Sequence, residues 1–306
     1  MIKIYHKAVR EQQLTELADF RVGSLIYVEN PTEEELNQLE QRYKADHSLL
    51  LDALDLNEVP RLEHEEGITY VFTRFPIRET NRVVTLPLLI AVGGDFVMLV
   101  SPKPLPLLER FLTGKADFYT TQKSKLFTQI FSQLNLGYQG FLREMSRDVR
   151  STTVRFERVR NRDIIQFVAF ERVLNDFLAA LVPTNRILED ILSGKYFKLY
   201  EEDHELTQDV RLANGQLIES CKSDLKTIVN FREAYSTIMT NNLNRVIKLF
   251  TALTVVLTVP TMIASFYGMN VALPFQNSPM AFWWILWGTI IIAIFILGTF
   301  VWKRWL

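Results

Sequence analysis

The stretch LFTALTVVLTVPTMIASFYGMNVALPFQNSPMAFWWILWGTIIIAIFILGTFVW, residues 249–302, contains no Asp, Glu, Lys, Arg or His. The chain carries 34 Lys and Arg and 35 Asp and Glu, so all of its charge lies before residue 249 or at Lys303 and Arg304. A helix needs about 20 mostly apolar residues to cross a bilayer. Residues 246–266 and 281–302 each supply such a run, the second with Trp283, Trp284 and Trp302 at expected interfaces. Two such helices joined by a short loop leave nothing polar for a soluble surface. The expectation is a charged body followed by two membrane spans.

The flanks set the direction. Arg245 and Lys248 border the first span, Lys303 and Arg304 follow the second, and the loop between has no basic residue. Positive charge is retained on the cytoplasmic side. Both termini are therefore expected in the cytoplasm, in a multi-pass protein of the plasma (inner) membrane with lipid as a partner. The N-terminal MIKIYHKAVREQQ lacks the apolar core and cleavage site of a secretory signal. One cysteine, Cys221, excludes an internal disulfide and suits a reducing compartment. A net charge of −1 gives no basic excess for nucleic acid, so none is expected as a partner.

Within the body, the segments IKIY and SLIYVEN read as short strands, and PTEEELNQLEQRYKA as a helix with Pro at its start and acids in its first turn. ITYVFTRFPI and VVTLPLLIAV are β-rich, and Gly93-Gly94 joins the latter to DFVMLVSP as a two-residue hairpin. After Lys115 the strand signals stop. Residues 120–181 hold no proline and dense mixed charge (Arg143, Glu144, Arg147, Asp148, Arg150), with Pro183 and then Ser193-Gly194 expected to interrupt the pattern. From 201 to 259 apolar residues recur every three or four positions, Leu206, Val210, Ala213, Leu217, Cys221, Leu225 and Ile228 among them. That periodicity predicts one long amphipathic helix, roughly 90 Å if continuous, which needs partners along its apolar face.

The expected boundaries are an α/β domain over 1–115, a helical layer over 116–200, a stalk helix over 201–245, a first span over 246–266, an external loop over 267–280, a second span over 281–302 and a cytoplasmic tail over 303–306. The four histidines (His6, His47, His64, His204) have no metal-ligand spacing, and no phosphate loop or nucleophile motif is present. The chain does not read as an enzyme.

Thr251, Thr254, Thr258, Thr261 and Ser265 are spaced 3, 4, 3 and 4, so they share one face of the first span. Hydroxyls in membrane helices commonly bond their own i−4 carbonyls or help helices pack. Five in register, beside a second span nearly devoid of hydroxyls, read as a water-facing surface. One helix cannot enclose water, so several copies must face each other. Gly268 is expected to end the helix through its conformational freedom. Asn270 would then stand at the outer mouth of the stripe, where an amide oxygen can hold a hydrated ion without a carboxylate's grip.

The segment TNNLNRVIKLFTALTVVLTVPTMIASFYGMN resembles the pore helix of CorA-type magnesium transporters, whose hallmark is Tyr-Gly-Met-Asn after the first of two C-terminal spans. LLLDALDLNEVPRLE, residues 49–63, resembles the family's N-terminal domain. The resemblance implies a homopentamer moving Mg²⁺, with Co²⁺ or Ni²⁺ as alternatives, through a central pore. Its pore-lining positions fall on Asn244, Thr254, Thr258, Thr261 and Ser265, its hydrophobic gate on Ile247 and Phe250, and its filter on Gly268, Met269 and Asn270. It also implies an inhibitory Mg²⁺ site, Mg²⁺ being both cargo and regulator, with Asp209 from the stalk. The matching partner position holds Arg78 in place of an acid, with Glu79 adjacent. The loop VALPFQNSP departs from the family too, because it lacks the acids that concentrate cations. Two other readings stand beside this one: a ZntB-like zinc transporter, which shares the architecture, and a cytoplasmic sensor anchored by two spans.

Overall fold

The computed structural model describes residues 1–11, 14–80, 82–114, 118–154, 161–271, 273–274 and 278–303. They form two compact units, Met1–Val229 and Asn230–Leu306. The first is built on a seven-stranded sheet in the order β2-β1-β3-β7-β6-β5-β4. Its strands are β1 (Ile2–His6), β2 (Thr15–Leu17), β3 (Ser24–Glu29), β4 (Arg61–Glu65), β5 (Ile68–Glu79), β6 (Arg82–Val92) and β7 (Phe96–Ser101). The β3–β7 pair is parallel, and the other pairs are antiparallel.

Successive side chains along the central strands enter opposite faces of the sheet, and both faces are buried and apolar. Leu25, Tyr27, Leu88, Ile90, Val97 and Leu99 enter one core. Ile26, Val28, Leu89, Ala91, Met98 and Val100 enter the other. A strand covered on both sides has no polar face to show, which is why these segments read as continuous apolar runs. Helices α1 (Glu33–Tyr43) and α2 (His47–Asp52) cover the second core through Leu36, Leu39, Leu49 and Leu50. Helix α3 (Pro106–Leu112) and parts of α4 (Lys123–Val154) and α5 (Asn161–Leu192) cover the first. Thr32, rather than Pro31, caps α1: its side chain accepts from Glu35 N while Glu35 reaches back to Thr32 N, a reciprocal capping box.

Two local expectations need correction. Three residues, 93–95, separate β6 from β7, where a two-residue turn was expected. Gly93 N donates to Phe96 O at 3.0 Å. A Cβ on Gly93 would lie 2.7 Å from the Phe96 ring, so close packing demands the glycine. Pro183 does not interrupt its helix; α5 runs through it to Leu192 and stops at Ser193-Gly194, where Gly194 has φ +73°. The proline deprives the Ala179 carbonyl of its N–H partner. Ala179 is exposed, so water can serve that carbonyl, while buried Leu181, Thr184 and Leu188 hold the packed face in place.

Helix α6 (Glu201–Tyr267) is a single 67-residue helix, and α7 (Ala281–Trp302) follows it. In the first unit α6 lies parallel to α4 in a constant register. Ser124 Oγ donates to Asp203, the Thr128 and Thr207 hydroxyls share a 2.8 Å bond, Asn214 Nδ2 donates to Asn135 Oδ1 at 3.3 Å, and Ser146 Oγ donates to Asp224. Each pair joins residues 78 or 79 apart. On α6 the buried positions Asp203, Thr207, Val210, Asn214, Leu217 and Cys221 follow a 4-3-4-3-4 spacing, the a/d seam of a coiled coil. The apolar stripe expected on this helix is present, but its buried seam also contains Asp203, Thr207 and Asn214, which an apolar count passes over.

The α/β domain, the long helix and the two C-terminal apolar helices expected from the sequence are all present.

Candidate functional site

Unit Asn230–Leu306 holds the end of α6 and all of α7. Both helices are long and apolar enough to cross a membrane, and their apolar windows are almost wholly unburied in the chain. On α6 the covered positions are Ala252, Val256, Val259, Pro260 and Ile263. At 3.6 residues per turn these share one side, about half a circumference from the hydroxyl stripe. Asn244, Ile247, Phe250, Thr251, Thr254, Thr258, Thr261 and Ser265 are exposed on the open side.

Four of these threonines bond the preceding turn. Thr251 donates to Ile247 O at 2.9 Å, Thr254 to Phe250 O at 2.8 Å, Thr258 to Thr254 O at 2.7 Å and Thr261 to Leu257 O at 2.8 Å. Each hydroxyl has one proton and two acceptor lone pairs. With the proton spent on the helix's own backbone, what the stripe presents outward is oxygen lone pairs. Such a face accepts hydrogen bonds from the outward-pointing protons of water around a cation and offers few donors to an anion. Back-bonding and a wet face are thus compatible.

Helix α6 ends at Tyr267. Gly268 N donates to Ala264 O at 3.0 Å and to Ser265 O at 3.2 Å, and Met269 N donates to Phe266 O at 3.2 Å. The expected conformational role of Gly268 is not realised: positive-φ glycines among the described residues are Gly23, Gly67, Gly114 and Gly194. The helix instead closes by tightening its last turn. A Cβ at Gly268 would sit 3.4 Å from Ala264 O, an ordinary contact. Asn270 is exposed, and its amide makes no hydrogen bond among the described residues. Loop residues 272 and 275–277, and Arg304, lie outside the described residues.

The residues expected to form a regulatory metal site are both in the first unit, and each has its own surroundings. Glu79, on β5, forms an ion pair with Lys103. Arg78 pairs with Glu144 on α4. Asp209, on α6, lines a cavity between α4 and α6 that also contains Arg143, Arg147 and Arg150; Glu79 is not among its lining residues. Among the described residues there is no cluster of three or more His, Cys, Asp or Glu side chains able to hold a metal. The i, i+4, i+7 spacing of the three arginines, a signal present in the sequence, places them on one helix face.

Comparison with known proteins converges on one family. A sequence profile described as "CorA-like Mg2+ transporter protein" matches residues 25–304. The cobalt/magnesium transport protein CorA of Methanocaldococcus jannaschii is 22% identical over 306 residues, spanning 97% of this chain and 95% of that protein. The complete structure of the CorA magnesium transporter from Methanocaldococcus jannaschii superposes with a TM-score of 0.88 at 18% identity, covering 100% of this chain and 99% of that one. The ZntB cytoplasmic domain from Vibrio parahaemolyticus gives a TM-score of 0.65 at 11% identity over 78% of this chain and 98% of that domain. At these identities the superpositions speak for the fold.

Proposed function

The chain belongs to the CorA-like Mg²⁺ transporter family, and from that premise we propose that it forms a homopentameric channel admitting Mg²⁺ to the cytoplasm, with Co²⁺ and Ni²⁺ as secondary cargo. The observation that carries this reading is the stripe on α6. Its threonine protons are spent on backbone carbonyls, its oxygens face away from the covered side, and it ends at an unengaged Asn270 amide. Mg²⁺ gives up its water reluctantly, so a ring of neutral oxygen acceptors suits a hydrated ion. Water-mediated contacts can be nearly as favourable in enthalpy as direct ones, yet weak enough individually to let the ion move on.

In this arrangement Gly268, Met269 and Asn270 form the outer filter. Asn244, Thr254, Thr258, Thr261 and Ser265 line the pore, and Ile247 and Phe250 close it by dewetting. Among the described residues neither crowding nor a positive φ requires a glycine at 268, and in this reading it serves the close approach of copies around the axis. Residues 1–245 lie in the cytoplasm, 267–280 outside and 303–306 in the cytoplasm. Cytoplasmic Mg²⁺ at Asp209, completed by an acid such as Glu79 of a neighbouring copy, holds the closed state by cancelling like-charge repulsion. The ion pair between Glu79 and Lys103 weakens that site's negative field. A ZntB-like Zn²⁺ transporter is the second reading, supported by the shared cytoplasmic fold.

The test is flux into proteoliposomes of Mg²⁺, Co²⁺ and Zn²⁺, with and without a proton gradient, after assembly is checked by sizing. Asn270→Ala removes the filter acceptors and is expected to lower Mg²⁺ flux about tenfold, the equivalent of about 1.4 kcal/mol. Asn270→Asp adds charge and should bind cations more tightly while discriminating less. Thr254→Val should have a smaller effect than either. In vesicles loaded with Mg²⁺, Asp209→Lys should relieve inhibition. An assembled Asn270→Ala protein that carries Mg²⁺ like its parent removes the filter assignment. Zn²⁺ flux driven by the proton gradient, exceeding Mg²⁺ flux, favours the second reading.

A further inference from the structure

The parallel packing of α4 and α6 leaves a cavity of about 750 Å³ between them, large enough for one small molecule. Its α4 rim carries Arg143, Arg147 and Arg150, all exposed. The α6 side of the cavity offers Ala213, Gln216 and Ser220, all uncharged. Asp209 is the one acid lining the cavity, and the helix register sets it toward the opposite end from Arg150. The lining therefore holds three cations against one anion.

Three acids nearby along the two helices have partners of their own. Glu144 pairs with Arg78, Glu219 with Lys222, and Asp224 accepts from Ser146. Arg147 reaches Asp148 only at 3.9 Å, and Arg143 and Arg150 have no ion partner among the described residues. Like charges at i, i+4 repel, so the row stands at a cost that an anion would relieve. Guanidinium groups recognise phosphate oxygens in paired hydrogen bonds. A bare divalent cation is repelled by the same row.

We propose that this α4–α6 cavity binds a small phosphate-bearing anion of nucleotide size, its phosphates held by Arg143, Arg147 and Arg150. The site lies outside the ion pathway and does not depend on it.

The experiment is calorimetric titration of the full-length protein in detergent, at fixed ionic strength, with ATP, inorganic tripolyphosphate, adenosine and sulfate, with and without Mg²⁺. ATP and tripolyphosphate should both bind saturably, and adenosine and sulfate should not. Replacing Arg143, Arg147 and Arg150 together by Gln should weaken both phosphate ligands by about tenfold or more, while Arg110→Gln on α3 should leave them unchanged. If the triple variant does not fold, Arg147→Gln should weaken binding more than Arg147→Lys does. ATP binding tighter than tripolyphosphate identifies a nucleotide ligand, and equal binding identifies the phosphate chain alone; both support the site. Absence of saturable binding by either phosphate overturns the proposal, as does binding that survives loss of the arginines. A cavity covered by a second copy of the chain would give the first of those results.

Discussion

Asp46 shows how one side chain can tie an element to the body. It caps α2, accepting from Leu49 N at 3.0 Å and from Ser48 Oγ at 2.6 Å, while its own amide donates to the Tyr70 hydroxyl at 2.8 Å. The Ser48 hydroxyl first, and the Leu49 amide next, hold its carboxyl below the usual carboxylate range. Because the folded pKa is depressed, the stabilisation is complete above the unfolded value of about 3.9 and is lost as pH falls through the folded value. Asp46→Ala should therefore cost about 1 kcal/mol near neutral pH. The deficit in melting temperature should shrink below about pH 3. Asp46→Asn keeps a capping oxygen at every pH, so its melting temperature should approach or exceed the parent's in acid. A deficit for Asp46→Ala that stays constant with pH would show that the carboxylate is not the capping species. Cys221 is the contrasting case: burial pushes its thiol up to about 12, which leaves it neutral and inert in the folded chain.

At the scale of the element, α4 and α6 are held in register by polar pairs set in an apolar seam. A buried polar group in such a seam costs stability but disfavours slipped alternatives, which would leave it unpaired. Asn214 is fully buried, and its Nδ2 depends on Asn135 Oδ1; Asn135 Nδ2 in turn donates to Val210 O at 3.0 Å. Asn135→Leu strands the Asn214 amide and should cost about 1–3 kcal/mol. Changing both residues to Leu should recover most of that loss, because no donor is then left unpaired. Thermal unfolding of the two single variants and the double variant measures the coupling. Additive losses would mean that the pair contributes nothing as a pair. The same seam explains why α6 tolerates Asp203, buried against Ser124 at its first turn, where the helix dipole also favours an acid.

For the whole molecule, segregation of charge orders the chain across a bilayer. Arg245, Lys248 and Lys303 flank the two apolar helices, and the residues between carry none. A single-cysteine protein already suits a topology experiment, since Cys221 is buried and its thiol stays protonated. Ser278→Cys should react with an impermeant maleimide added outside intact cells, while the parent stays unlabelled. Reaction only after the membrane is permeabilised would reverse the assigned direction.

Much of this was legible in the residues, because it rests on local periodicity. Strand pairs such as Leu25/Ile26 and Leu88/Leu89 announce a sheet buried on both faces, and two uncharged runs announce two spans, without reference to any distant partner. The threonine stripe was visible for the same reason, since helical spacing alone places it, and Gly-Met-Asn was visible through its resemblance to a known family. Tertiary structure decided what depends on a partner far along the chain. Asp203, Thr207 and Asn214 look like surface residues until Ser124, Thr128 and Asn135 meet them 79 positions away. The ion pairs of Arg78 with Glu144 and of Glu79 with Lys103 likewise join residues far apart in the chain. Pro183 looks like a helix end until the packing of Leu181, Thr184 and Leu188 is seen to carry the helix past it. What stands beside the row Arg143, Arg147 and Arg150 could be read only once α6 was placed parallel to α4, with Asp209 the one acid lining the cavity between them. Periodicity is a property of neighbours in sequence, whereas polar satisfaction and charge pairing depend on neighbours in space, and folding alone brings those together.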